Sequence, residues 1–247
     1  MTGQAGYAQR AGYYATEIRG VPEPALLAEL LRPGMTVAEM PSGTGHFLPA
    51  YSAAGADITL VDACPQMLAA AQTLAIQSGI AVTAVCAAIE NLPGRAGPFD
   101  LIVMPNGALN QLAAGTPLAA LLAIVARLLA LGGHFLAQIL APGAACGFYD
   151  PGLADRDWYQ DRQFTGEDGR TVTRRRRQHQ RDGVVRIDFE LASGGITLYR
   201  QQVALRPVRI ADVRAALADA GLRTLQAGPG SGGLAEILGA RQSQGLK

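Results

Sequence analysis

Val37-Ala38-Glu39-Met40-Pro41-Ser42-Gly43-Thr44-Gly45-His46, followed by a short amphipathic run and then Asp57-Ile58-Thr59-Leu60-Val61-Asp62, decides how this chain folds. The stretch predicts strand, glycine turn, helix, strand. An apolar strand ends at Glu39, a turn on Gly43 and Gly45 lets backbone N–H groups approach a ligand, and a second strand ends at Asp62. Asp62 lies about 20 residues beyond the turn, the spacing at which an acid reaches the ribose hydroxyls of an adenosine-containing cofactor.

Upstream, Tyr7, Tyr13 and Tyr14 precede a leucine-rich segment at 22–31 whose spacing predicts a helix with a proline start. An aromatic segment ahead of a ligand-binding strand is a candidate lid. Downstream, Pro65 opens an alanine-rich helix, and strands are expected at 80–87 and 99–104. A helix at 117–131 ends at Gly132-Gly133, and a fifth strand follows at 134–140. Beyond Ala141 the period changes. Segments 158–165, 170–180, 184–192 and 196–206 are separated by glycine turns, which predicts an inserted antiparallel meander. A helix at 211–220 and strands at 222–227 and 233–240 complete the pattern. The fold class is therefore α/β: a doubly wound, Rossmann-like, seven-stranded, mostly parallel sheet carrying a β meander. Three units are expected: an N-terminal helical lid at 1–32, a cofactor-binding domain at 33–145 and 207–247, and an insertion at 146–206 for substrate or dimer contacts.

The composition sets limits. The chain has 247 residues, 49% hydrophobic and 17% charged, enough to bury a full core. A net charge of +1 gives no electrostatic grip on nucleic acid or an acidic membrane. Cys64, Cys86 and Cys146 are widely separated, which suggests neither a metal site nor a disulfide framework. No signal peptide is expected, the most apolar helix is interrupted by Arg127, and a cytoplasmic protein is anticipated. The only lysine is Lys247, so a P-loop lysine, a Schiff-base lysine and a Tyr-x-x-x-Lys pair are excluded.

Two cofactor classes fit a glycine turn followed by an acid: dinucleotides and S-adenosylmethionine. A dinucleotide fingerprint requires a third glycine, and counting from Gly43 that position is Leu48. Glu39 also places a carboxylate where pyrophosphate oxygens would come, whereas it suits a ligand with an ammonium and a sulfonium.

Glu39-Met40-Pro41-Ser42-Gly43-Thr44-Gly45, with Leu60-Val61-Asp62 and Met67 downstream, resembles motif I and the following acid of class I S-adenosylmethionine-dependent methyltransferases. The similarity continues through Phe99-Asp100-Leu101-Ile102-Val103. An aromatic segment, Asp168-Gly169-Arg170-Thr171-Val172, and Ala220-Gly221-Leu222-Arg223 are similar to N-methyltransferases that dimethylate nucleotide-linked aminosugars. The resemblance implies that Glu39 and the loop of Pro41, Ser42, Gly43 and Gly45 hold the amino acid end of S-adenosylmethionine. Asp62 would bind the ribose, Ala63 and Met67 would pack on adenine, and Ile89 would offer it a backbone N–H. Pro105 and Asn106 follow strand four on the cofactor side. Two departures are visible: Pro41 has no N–H to give, and Ala88 stands where a carboxylate commonly meets the adenine amino group, with Glu90 as a candidate substitute. The reaction leaves S-adenosylhomocysteine.

Methyl transfer is an in-line displacement, so positioning and exclusion of water matter most and a strong base is optional. His179, on the meander strand with the arginine run, is the candidate base. Asn110 sits where the family often places a histidine; it orients a partner but takes no proton. Tyr14 of the lid completes the candidate catalytic set. Tyr13, Trp158, Tyr159, Arg175 and Arg177 are candidate substrate contacts. In a strand Arg175, Arg177 and His179 share one face, Arg174 and Arg176 the other. Phe148 and Tyr149 are candidates for either a pocket or a core. The expected function is methylation of a small metabolite, an amine nitrogen first and an aromatic carbon or oxygen second. A nicotinamide-dependent oxidoreductase and a non-catalytic binding module are the alternatives from other classes. No metal, nucleic acid or membrane partner is expected, and the meander is a candidate homodimer surface.

Overall fold

The computed structural model describes residues 4–93, 96–166 and 169–242. Asp168, Lys247 and the side chain of Tyr7 lie outside them. Seven α-helices and eleven strands are seen among the described residues. Helix α1 is Gln4–Glu17 and α2 is Leu27–Leu30. Then β1 (Thr36–Glu39), α3 (Leu48–Ala53), β2 (Asp57–Asp62), α4 (Pro65–Gln77), β3 (Val82–Cys86), β4 (Phe99–Met104), α5 (Ala108–Leu112), α6 (Leu118–Leu128) and β5 (Leu129–Ile139) alternate. A meander of β6 (Tyr159–Thr165), β7 (Thr171–Arg181), β8 (Val184–Ser193) and β9 (Ile196–Leu205) precedes α7 (Ile210–Asp219), β10 (Leu222–Pro229) and β11 (Ala235–Arg241).

The main sheet has the order β10-β11-β5-β4-β1-β2-β3, parallel except where β11 runs against β5 and β10. This is the α/β class read from the pattern, with the meander as a separate four-stranded sheet. The strands alternate between two helical layers. Ala38, Ile102 and Met104 pack with α6 and α7, while Val37, Leu101 and Val103 face the layer of Leu48, Tyr51 and Leu68. Burial on both faces is why β4 reads as an unbroken apolar run.

The chain reverses direction of winding between β1 and β4, where the carboxyl ends of neighbouring strands diverge and leave a crevice. Glu39 pairs with Leu60 on one side and Val103 on the other, so the ends of β1, β2 and β4 open at one level. The meander is fixed to this end. Val185, Ile187, Phe189, Val203 and Leu205 pack with Leu140, Tyr149 and Leu234. Helix α1 lies between the meander and α4.

Two boundaries differ from the sequence reading. The helix expected at 22–31 shrinks to α2, because Ala25 and Leu26 donate their N–H groups to Glu236. That carboxylate caps the helix from across the fold. Strand β5 starts at Leu129, directly after α6, with Gly133 passing the Phe99 carbonyl so closely that a Cβ would lie 2.9 Å from its oxygen. No helix among the described residues is long and apolar enough to cross a membrane.

Candidate functional site

Two adjoining cavities open at the carboxyl ends of the parallel strands. The first, about 250 Å³, is lined by the turn after β1, the end of β2, the segment after β4 and α1. Glu39, Pro41, Ser42, Gly43, Asp62, Ala63, Met67, Pro105 and Asn106 line it, with Tyr14 and His46. Asp62 organises the turn. Its Oδ2 accepts from the Gly43 N–H at 2.8 Å and its Oδ1 from the Cys64 N–H at 2.8 Å. Burial nevertheless pushes the Asp62 carboxyl above its ordinary range, the two N–H groups opposing that rise. Gly43 has φ of 52°, and a Cβ there would lie 3.2 Å from the Tyr14 ring. At Gly45 a Cβ would lie 2.7 Å from Leu48. Gly45 therefore faces the helices behind the turn rather than the cavity.

Glu39 is 2% exposed and has no cation beside it. Burial pushes its carboxyl up to about 8, with the nearby Tyr51 hydroxyl opposing and the Asp62 charge adding to the rise. Its Oε2 and the Ser42 and Thr44 hydroxyls have no hydrogen-bond partner among the described residues. Orphaned acceptors beside a turn of backbone N–H groups call for a cationic, hydrogen-bonding ligand.

The second cavity, about 220 Å³, shares Tyr14, Ile18, Val21, Asn106 and Gln111 with the first. Phe148, Ile187, Phe189, Val203, Leu205 and Leu234 form its apolar wall, and Arg10, Glu17, Arg162 and Arg174 its charged one. Glu17 is the hub. Arg10 donates to it at 2.9 and 3.2 Å, Arg174 at 2.8 Å, and the Tyr199 hydroxyl also donates to it. Burial alone would raise the Glu17 carboxyl, but Arg10 and Arg174 overcome it and hold it at about 2. Arg174 is held in turn by Asp161 at 2.7 Å.

Residues 37–133 match the family described as methyltransferase domain. Three solved structures share the fold over nearly the whole chain. The CcbJ methyltransferase from Streptomyces caelestis has a TM-score of 0.70 at 16% identity, covering 98% of this chain and 94% of that one. The sugar N-methyltransferase KedS8 from Streptoalloteichus sp. ATCC 53650 has a TM-score of 0.67 at 22% identity, covering 96% and 88%. CalS10, an amino pentose methyltransferase from Micromonospora echinaspora, has a TM-score of 0.64 at 22% identity, covering 96% and 92%. No curated protein matches in sequence. Residues 37–133 therefore carry a methyltransferase domain, and the chain has the fold of these methyltransferases.

Several residues singled out in the sequence lie elsewhere. Asn110 is fully buried; its Nδ2 donates to the Leu140 and Arg206 carbonyls and its Oδ1 accepts from the Leu140 N–H. It clips β5 to the end of the meander and does not reach the cavities. The next residue, Gln111, lines both. His179 lies outside both cavities as well. On β7 the buried face carries Arg174, Arg176 and Gln178, so His179, Arg175 and Arg177 point away from these two cavities, and Arg175, Arg177 and Trp158 line a separate cavity of about 520 Å³ on the outer face of the meander. Arg175 and Arg177 pair there with Glu190 and Asp188 and lie over Trp158.

Tyr159 accepts from Arg176 Nε at 2.7 Å and lines neither cavity. Tyr13 packs on Tyr199 with ring centroids 5.8 Å apart, joining α1 to the meander. Ala88 and Ile89 lie outside the lining: Ile89 is buried in the core and the exposed Glu90 accepts from Thr116. Of the aromatic pair after β5, Phe148 lines the second cavity and Tyr149 is core. Arg10, Glu17 and Arg162 carried no motif. Their one sequence signal was the seven-residue spacing of Arg10 and Glu17, which places both on one face of a helix.

Proposed function

We propose that the protein methylates an amine nitrogen of a small metabolite held in the second cavity. The observation that carries this reading is the absence of a proton acceptor poised near neutrality among the described residues lining that cavity. Glu17 is locked as a carboxylate by Arg10 and Arg174, while burial raises the Tyr14 hydroxyl and the Cys146 thiol. No histidine lines it. A neutral amine attacks with its own lone pair and needs no base in that step, whereas an unactivated hydroxyl does.

S-adenosylmethionine supplies an electrophilic methyl group on a sulfonium. The orphaned Glu39 Oε2 suits its ammonium, and the Ser42 hydroxyl in the cavity lining suits its carboxylate end. Asp62 keeps a lone pair on each oxygen for the ribose after serving Gly43 and Cys64. Tyr14, Asn106 and Gln111 stand at the junction of the two cavities, where the nucleophile is held in line and water is displaced. Segment 1–32 acts as the lid and 146–206 as the roof of the substrate site. Two neighbours of similar fold, a sugar N-methyltransferase and an amino pentose methyltransferase, support an amine acceptor.

The test is incubation of the purified protein with methyl-labelled S-adenosylmethionine and a panel of amino sugars, small amines, phenols and alcohols, with products read by mass spectrometry. Label on amine nitrogen is expected. Label confined to phenol or alcohol oxygen refutes the amine reading.

A further inference from the structure

We propose that the second cavity takes a substrate bearing an acidic group, a carboxylate or a phosphate, and that Arg162 is the side chain on which that group docks. This rests on the reading of the cavity as the methyl acceptor site. Strand β6 has an irregular register against β7 between Gln160 and Arg162, with Arg162 opposite Arg174. The extra residue turns both Asp161 and Arg162 toward the buried face, instead of one in and one out. Asp161 is consumed there, ion-paired to Arg174 at 2.7 Å and Arg176 at 3.3 Å. Arg162 lines the cavity and has no hydrogen bond or ion pair among the described residues.

The charge around this space is unbalanced. Among the described residues, Arg10, Arg162 and Arg174 line it against one carboxylate, that of Glu17, and the pair of Asp161 and Arg176 behind them cancels. Arg10 and Arg174 are pinned to Glu17, which leaves Arg162 as the guanidinium with its donors free for a ligand. The rest of the wall is apolar, so an ion pair formed here is screened less than on the surface. The fork of a guanidinium matches the two oxygens of a carboxylate or phosphate. Tyr14 and Gln111 belong to both cavities and Arg162 to the second alone, so the acidic group sits away from the atom that receives the methyl. The irregularity in β6 thus selects the substrate without touching the cofactor.

The test is calorimetry at low ionic strength on the full-length protein saturated with S-adenosylhomocysteine, titrated with inorganic phosphate and with benzoate. Binding of at least one is expected, at least tenfold weaker in Arg162→Ala, partly restored in Arg162→Lys, and unchanged in Arg175→Ala on the outer face. Preference between the two anions identifies the class of acidic group. The proposal is overturned if neither anion binds the wild-type protein, or if Arg162→Ala and Arg162→Lys bind as the wild type does. Failure of the wild type to bind S-adenosylhomocysteine is a separate result that removes the methyltransferase reading itself.

Discussion

Replacement of Glu39 by glutamine isolates the electrostatics of the cofactor cavity. In the free protein the Glu39 carboxyl sits at about 8, so at pH 6 about 1% of it is ionised. Binding an ammonium beside it requires the carboxylate, so one proton is released per cofactor bound on the acid side. The ligand's own α-amino group, beside a free carboxylate, keeps its proton to higher pH than a peptide N-terminus does, so binding weakens on the alkaline side only above pH 8. The ionised fraction of Glu39 rises from about 1% at pH 6 to about one half at pH 8, so affinity at pH 6 is lower by about 50-fold, or about 2.3 kcal/mol. Calorimetry with S-adenosylhomocysteine in buffers of different ionisation enthalpy reads both the affinity and the proton count. Glu39→Gln should lose the acid limb and bind at least about 2 kcal/mol more weakly at pH 8, as expected for a desolvated charge pair. Folding should respond in the opposite sense. A carboxyl raised from 4.5 to about 8 contributes its full stability below pH 4.5 and loses it as pH rises through 8. The glutamine variant should therefore be more stable than wild type at pH 7 by up to about 3 kcal/mol, and level with it at pH 4. Wild-type affinity that does not change between pH 6 and 8, or a variant that keeps the acid limb, refutes the pairing of Glu39 with the cofactor ammonium.

Asp62→Ala removes the acceptor of two turn N–H groups as well as the expected ribose contact, and S-adenosylhomocysteine should bind more than tenfold more weakly, by about 1.4 kcal/mol or more. An unchanged dissociation constant would mean the carboxylate serves the turn alone. Glu17→Gln leaves Arg10 and Arg174 without their buried counter-charge and should cost about 3–5 kcal/mol in urea unfolding. In the wild type, Glu17 is held at about 2, so its contribution is present above the ordinary carboxyl value of 4.5 and fades as pH falls toward 2. An acid melt of the variant should lack that component. Gln111→Ala should lower turnover with cofactor affinity intact, whereas Asn110→Ala should lower stability by about 1–3 kcal/mol through its unpaired backbone partners. His179→Ala should leave turnover unchanged; a large loss of activity would return that strand face to the site.

Much of this architecture is legible in the residues. Alternation of period between 37 and 140 gives the doubly wound sheet, and glycine turns beyond Ala141 give the meander, because backbone periodicity is a local property. Glu39, the turn and Asp62 are legible for the same reason: a parallel sheet sends the ends of adjacent strands to one edge, so residues at strand ends meet. The substrate side is different. Asn110 and Gln111 are neighbours in a five-residue helix, and their sequence does not say which turns into the fold. On β7 alternation separates Arg174 from Arg175, but only the packing of Ile187 and Phe189 on the end of the main sheet decides which set is inside. The irregularity at Asp161 leaves no mark in composition, yet it shifts Arg162 to the inner face. The sequence alone determined the fold and the cofactor turn, where short-range geometry is sufficient; tertiary structure decided the substrate cavity, where residues far apart in the chain converge and a one-residue slip exchanges inside for outside.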